Sequence, residues 1–408
     1  MSLTLTVHRG TRQIGGTCIE LRHPGGERLI LDAGRPLDAP RGEEGLLPAT
    51  LDLEGMATVL VCHPHQDHWG LIGELPRSWP VWTGRASAAL IAITARFARQ
   101  PVRVDLQTWT AGQALQFGDF RVTPILTDHS AFDANMLLIE GGGKRLLYSG
   151  DFRRHGRKSV LVDRIMRSPP ADLDLLIVEG TNLGTDKPAY PETLLEEEFL
   201  ALLRRTEGRV FVNWSGQNID RTVTLYRAAL REGRTLVIDL YTAEVLEAVA
   251  DGTRLPRPGF PGLKVVITSG LRKHYRDAGR EEFVARMAAY GISADKIQGR
   301  RDVVMLRDGL LSDYRAKGVV PTARDAFNYS QWRGYLDKPC EALEWCRAAG
   351  AEIAYLHTSG HASSADLRAF AAAMNARNIV PVHGTNWETQ STGFGAIRRM
   401  TDGVPTHV

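Results

Sequence analysis

The sequence predicts an α+β protein in which an α/β domain is inserted into a domain of stacked sheets. Three observations lead there. The chain has 408 residues, more than one ordinary domain. Residues 1–182 mix short strands and helices without strict β-α-β repetition, the pattern of sheets packed together and covered by helices. Over residues 183–345 the pattern changes to alternating strand and helix, as a parallel sheet requires, and residues 346–408 return to the mixed pattern of the first segment.

In order along the chain, residues 3–8, 17–21, 28–31, 58–62 and 121–125 read as short strands bounded by Gly, Pro and Asp turns. Residues 70–75 and 86–96 have helical composition, and 136–139, 145–148 and 173–178 return to strand character. In the insertion, helices are expected over 191–206, 220–232 and 243–250, with strands over 209–213, 235–240 and 263–268. Strand 353–356, helix 364–375, strand 379–382 and a short tail close the order.

Composition narrows the class of function. Hydrophobic residues make up 43% and charged residues 24% of the chain, the balance of a globular protein. No apolar run reaches the roughly 18–20 residues of a membrane span, and Met1-Ser2-Leu3-Thr4 opens no basic-then-apolar leader. No membrane partner and a cytoplasmic location are therefore expected. Cys18, Cys62, Cys340 and Cys346 are scattered without CxxC spacing, which argues against a disulfide framework or a cysteine-built zinc site. The net charge of +3 is compatible with a polyanionic partner without requiring one.

The densest chemistry lies in Val61-Cys62-His63-Pro64-His65-Gln66-Asp67-His68-Trp69, where three imidazoles and a carboxylate follow an apolar strand. These are ligand types that zinc accepts, and a crowd of histidines has no evident use in a core. Two apart, His63 and His65 are able to grip one ion, while Asp67 and His68 beyond the turn reach a second.

This HxHxDH spacing resembles the signature of the metallo-β-lactamase superfamily, which implies an αββα sandwich. The family's further ligands match His129 in Thr127-Asp128-His129-Ser130 and Asp151 in Ser149-Gly150-Asp151, and its first motif matches Asp32 in Leu31-Asp32-Ala33-Gly34. Taken alone, His129 reads as a surface histidine and Asp151 as a turn residue; their order and context point to ligands. Asp32 is expected to orient a ligand imidazole through its other nitrogen.

Three later motifs resemble the β-CASP branch, which processes nucleic acids and includes ribonuclease J. Motif A matches Glu179 in Val178-Glu179-Gly180-Thr181, motif B His361 in His357-Thr358-Ser359-Gly360-His361, and motif C His383 in Pro381-Val382-His383-Gly384. The match departs at Thr385, where ribonuclease J proteins carry glutamate. The resemblance implies a sandwich over residues 1–182 and 346–408, the latter holding motifs B and C, with the β-CASP domain at 183–345. It implies one ion held by His63, His65 and His129, another by Asp67, His68 and His383, and Asp151 shared. Zinc suits this set and manganese accepts it too.

The activity implied is metal-dependent hydrolysis of RNA by metal-activated hydroxide, with Asp67, Glu179 and His361 catalytic and His361 protonating the leaving 3′ oxygen. Histidine at motif C favours RNA over DNA. Ser359, His361 and Ser363 precede a helix start and are expected to cradle phosphate, although Ser363 alone reads equally as a helix cap. Arg153, Arg154, Arg157, Lys158, Arg272, Lys273 and Arg276 are candidate phosphate contacts, and Trp214, Tyr329 and Trp332 candidate stacking residues. A DNA nuclease or small phosphoester hydrolase is the alternative enzyme, a silent nucleic-acid-binding protein the non-enzyme alternative, and a homodimer the assembly considered.

Overall fold

Successive side chains of a strand point to opposite faces, and among the described residues of the sandwich that alternation separates three buried clusters. The computed structural model describes residues 2–100, 102 and 105–408. Two units emerge, Met1–Ala189 with Gly360–Val408, and Tyr190–Ser359.

In the first unit one sheet runs in the order Thr406–His407, Thr4–Arg9, Cys18–Arg22, Arg28–Leu31, Thr58–Val61, Val81–Gly84, Gln107–Trp109. A second runs Asn378–Pro381, Leu175–Val178, Lys144–Tyr148, Asn135–Gly141, Phe120–Leu126, Leu115–Phe117. Leu29, Leu31 and Leu60 of the first sheet share a core with Leu146, Tyr148, Leu175 and Ile177 of the second. Their neighbours Ile30, Val59 and Val61 turn outward to Ile91 and Ala95 of helix Arg85–Ala98. Leu147, Leu176 and Val178 turn the other way, to Val162 of helix Ser159–Arg167 and Phe370 of helix Ser364–Met374. The result is the expected helix–sheet–sheet–helix sandwich. Each fully buried aliphatic side chain contributes roughly 1.5–3 kcal/mol to it.

The site depends on which strand ends share an edge. Arg28–Leu31, Thr58–Val61 and Val81–Gly84 are parallel neighbours, as are Lys144–Tyr148, Leu175–Val178 and Asn378–Pro381. Their carboxyl ends therefore emerge together within each sheet, and the segments that follow carry Asp32, His63, Asp151, Glu179 and His383.

The second unit is a parallel sheet ordered Gly291–Ile292, Leu263–Val266, Leu236–Asp239, Val303–Met305, Val210–Asn213, Ala326–Tyr329, Glu352–Ala354. Its central strands are buried along their whole length, as strands covered on both faces must be.

Three expectations need correction. The insertion does not end at residue 345: residues 346–359 belong to it, because Glu352–Ala354 pairs in parallel with Ala326–Tyr329. It begins at Tyr190 rather than at 183: Leu183 packs in the first unit's core and Gly184 N–H donates to Ser364 Oγ at 3.0 Å. Residues 70–75 form turns rather than a helix, since Leu71 N–H and the His68 carbonyl bond to Ala33. The helix there is the single turn Gln66–Trp69. The tail adds an edge strand, Thr406–His407 pairing with Thr4–Arg9.

Candidate metal centre

The strand Thr58–Val61 delivers the cluster, and the turn Gln66–Trp69 folds it back so that Asp67 and His68 rejoin His63. That fold-back needs a glycine: a Cβ on Gly34 would lie 1.7 Å from the Asp67 carbonyl oxygen. The ligand-capable atoms of His63, His65 and His129 lie within 4.8 Å of one another, and so do those of Asp67, His68, Asp151 and His383. His65 Nδ1 is 3.2 Å from His129 Nε2. His68 Nε2 is 3.2 Å from Asp151 Oδ2 and 3.8 Å from Asp67 Oδ2, and His383 Nε2 is 3.5 Å from Asp67 Oδ2. Asp151 Oδ2 also lies 3.7 Å from His63 Nε2, so one carboxylate faces both groups.

These spacings fit divalent metal. Tetrahedral zinc with bonds of about 2.0–2.1 Å holds its donor atoms roughly 3.3 Å apart. Buried His63 Nε2 and His383 Nε2, both aimed into the cluster, have no hydrogen-bond partner; native proteins seldom leave buried polar atoms so without a reason such as an ion.

Electrostatics divides the cluster. Burial, reinforced by neighbouring imidazoles, pushes His63 and His129 well below the usual histidine range, and burial brings His65 down to about 4. Those three are neutral, with lone pairs to offer. Burial opposes charge on His68 and His383 as well, but Asp151 and the other acidic groups outweigh it, holding His68 well above its ordinary value and His383 at about 10. Burial likewise opposes charge on Asp67 and Asp151, yet the facing imidazoles keep both carboxyls below their ordinary range.

Around the cluster lies a supporting layer. Asp32, fully buried and left-handed at φ 60°, accepts from His68 Nδ1 at 2.8 Å, Tyr148 Oη at 2.6 Å and the Cys62 N–H at 2.8 Å. His383 is also left-handed, at φ 48°, a conformation that for a non-glycine residue is held by its surroundings. Its N–H donates to the Gly10 carbonyl at 2.7 Å, and its carbonyl accepts from Gly180 N–H at 3.1 Å. Sequence reasoning missed Cys62 and Tyr148; the one signal was their position just before the expected ligands His63 and Asp151.

Glu179 and His361 form a second constellation at its rim. Glu179, 1% exposed, accepts from Phe152 N–H at 3.0 Å and Thr181 N–H at 3.2 Å, and its Oε2 lies 3.1 Å from His361 Nδ1. His361 Nδ1 is also 3.7 Å from Asp151 Oδ2, and its side chain is 21% exposed.

Other expected residues fall elsewhere. Ser363 caps helix Ser364–Met374, accepting from Asp366 N–H at 3.1 Å and donating to its carboxylate at 2.7 Å, so its hydroxyl is committed to the helix. Ser359 is buried at the end of the second unit. Arg153 is fully buried beside Asp128, and Arg154 pairs with Asp163 at 2.6 Å. Lys158 lies over the Phe132 ring, and Arg157 is only half exposed. Arg272, Lys273 and Arg276 are exposed, the latter two beside Asp277. Trp214 and Tyr329 are core residues; Trp332 is 40% exposed.

A family model for the β-lactamase superfamily domain matches residues 27–213, and one for a Zn-dependent metallo-hydrolase RNA specificity domain matches residues 350–391. Ribonuclease J of Mycobacterium tuberculosis is 26% identical, with 94% of this chain and 69% of that one aligned. Ribonuclease J of Mycolicibacterium smegmatis is 24% identical at the same coverage. A crystal structure of a protein of unknown function from Enterococcus faecalis V583 shares the fold, with TM-score 0.81, 17% identity and complete coverage of both chains. Domain models on both segments of the sandwich, with likeness to ribonuclease J over 94% of this chain and 69% of that one, support a ribonuclease J-like protein of metallo-β-lactamase fold.

Proposed function

We propose that this protein is a metal-dependent ribonuclease that cleaves RNA phosphodiester bonds with two divalent ions, zinc by the donor set. The observation that carries the reading is the pairing of buried Glu179 at 3.1 Å with His361, which lies beside Asp151 and within the stretch matched by the RNA specificity model. Bound divalent ions supply a lowered pKa for the attacking water and neutralise the phosphodiester oxygens.

The chain's own residues do the rest. His63, His65 and His129 hold one ion, Asp67, His68 and His383 the other, and Asp151 is shared. With its Nδ1 proton donated to Glu179, the His361 imidazole is fixed in one orientation and exchanges protons through Nε2, toward the departing 3′ oxygen. Glu179 stabilises the charge that His361 carries before transfer, as a buried carboxylate does for a catalytic imidazole. Ser359 and the backbone around His361 are the phosphate-cradling part of the reading; Ser363 is not, being spent on its helix. The reading includes a cytoplasmic site of action, in keeping with four unbridged cysteines.

The test compares labelled RNA bearing 5′ phosphate or 5′ hydroxyl with DNA and nucleotides, with Asp67→Ala as control. RNA cleavage that requires zinc or manganese and vanishes in Asp67→Ala is expected. Protein carrying two ions that leaves RNA intact but hydrolyses DNA or nucleotides would replace the reading, and tight RNA binding without turnover would revive a binding role. Sedimentation of the same preparation tests the homodimer.

A further inference from the structure

We propose that Cys62 is a positioning residue for the metal centre: its thiol joins the His63 imidazole to the Asp32 carboxylate, so that one buried carboxylate orients a ligand of each ion. The inference rests on the two-metal reading above and adds to it a residue that the superfamily's motifs do not include.

The geometry is specific. Cys62 Sγ lies 3.0 Å from Asp32 Oδ2, 3.0 Å from His63 Nδ1 and 3.5 Å from His68 Nδ1. His63 turns Nε2 toward Asp151, at 3.7 Å, so a proton on that ring resides on Nδ1 and needs an acceptor. The sulfur is the acceptor in place. The thiol proton in turn points to Asp32 Oδ2, which also receives Tyr148 Oη at 2.6 Å and His68 Nδ1 at 2.8 Å, while Oδ1 receives the Cys62 N–H at 2.8 Å. Asp32 thus faces four donors, three of them on Oδ2. A thiol is a weak donor, but a bond to a charged acceptor in a dry site is strengthened.

The sulfur is also fixed in space. A Cβ on Gly150, the residue before Asp151, would lie 3.0 Å from Sγ and 3.2 Å from the Cys62 Cβ. The thiol therefore fills the gap between Asp32 and the turn that presents Asp151, touching the surroundings of both ions from one atom. Partners that orient a ligand histidine through its second nitrogen are worth about 10- to 100-fold in metal affinity.

The test uses the metal-free whole chain, wild type against Cys62→Ala and Cys62→Ser. Stepwise zinc affinities are read by competition with a chromophoric chelator, alongside absorption spectra of the cobalt-substituted proteins. Cys62→Ala is expected to lose about 10- to 100-fold in affinity for one of the two ions, Cys62→Ser to recover most of that loss, and wild-type cobalt protein to lack sulfur-to-cobalt charge-transfer absorption. Unchanged affinities in Cys62→Ala overturn the inference. So do equal losses in both variants, which mean packing alone, and a charge-transfer band in wild type, which makes Cys62 a ligand. Should Cys62→Ala fail to fold, Cys62→Ser and the wild-type spectrum decide. A wild type that takes up no zinc overturns the two-metal reading itself, whereas two ions held equally by wild type and Cys62→Ala overturn only the role of Cys62.

Discussion

Removing the His361 imidazole leaves every proposed ligand in place, so His361→Ala separates proton transfer from metal binding. It is expected to lower kcat by about 10²- to 10⁴-fold with metal content unchanged, read by single-turnover RNA cleavage and elemental analysis. Away from the site, Glu20 contributes to acid stability. Burial would raise its carboxyl, but hydrogen bonds from His8 and Arg28 outweigh burial and bring it from 4.5 down to about 2. Its contribution, on the order of 2–3 kcal/mol, is complete above pH about 4.5 and lost as pH falls toward 2. Urea midpoints should therefore drop more steeply over that window in wild type than in Glu20→Gln. At this scale the cluster was legible because HxHxDH is local, and His129, Asp151, Glu179, His361 and His383 followed by motif order. Cys62 and Tyr148 were not, because their partner Asp32 lies 30 and 116 residues away along the chain and only packing brings them together.

Two elements make predictions of their own. The cap of helix Ser364–Met374 was legible in Ser363, but only the bonds to Asp366 decide between cap and phosphate contact. Ser363→Ala should lower unfolding free energy by about 1 kcal/mol and leave the KM for RNA unchanged, measured by denaturant titration and initial rates. The turn Arg333–Asp337 follows Trp332, whose indole lies against Gly334, where a Cβ would come within 2.4 Å of the ring. That arrangement presents an aromatic face, and stacking on one base is worth about 1–3 kcal/mol. Trp332→Ala should raise the KM for RNA roughly 5- to 100-fold without changing kcat; an unchanged KM would leave Trp332 a surface residue. The insertion's end was missed at this scale because Glu352–Ala354 looks like any short strand until its partner, Ala326–Tyr329, is known.

Across the whole molecule, metal and fold are linked. Residues from both sheets meet in the cluster at one edge, so on the proposed reading stripping the ions removes a tie between the two layers. Chelation should lower the melting temperature by several degrees, with zinc restoring it, as scanning calorimetry would record. The order of the chain adds a constraint on timing. His383, on the segment after the insertion, is added only after the whole of Tyr190–Ser359 has been synthesised, an interval of roughly ten to thirty seconds at ordinary elongation rates. Throughout that interval the nascent sandwich lacks His383, the last of the proposed ligands, and His361, the proposed proton donor. Arrested chains ending before residue 360 are expected to retain one ion at most and to spare RNA. On the proposed reading, the emerging chain thus spares RNA, its own message included, until the ribosome has added residues 361 and 383.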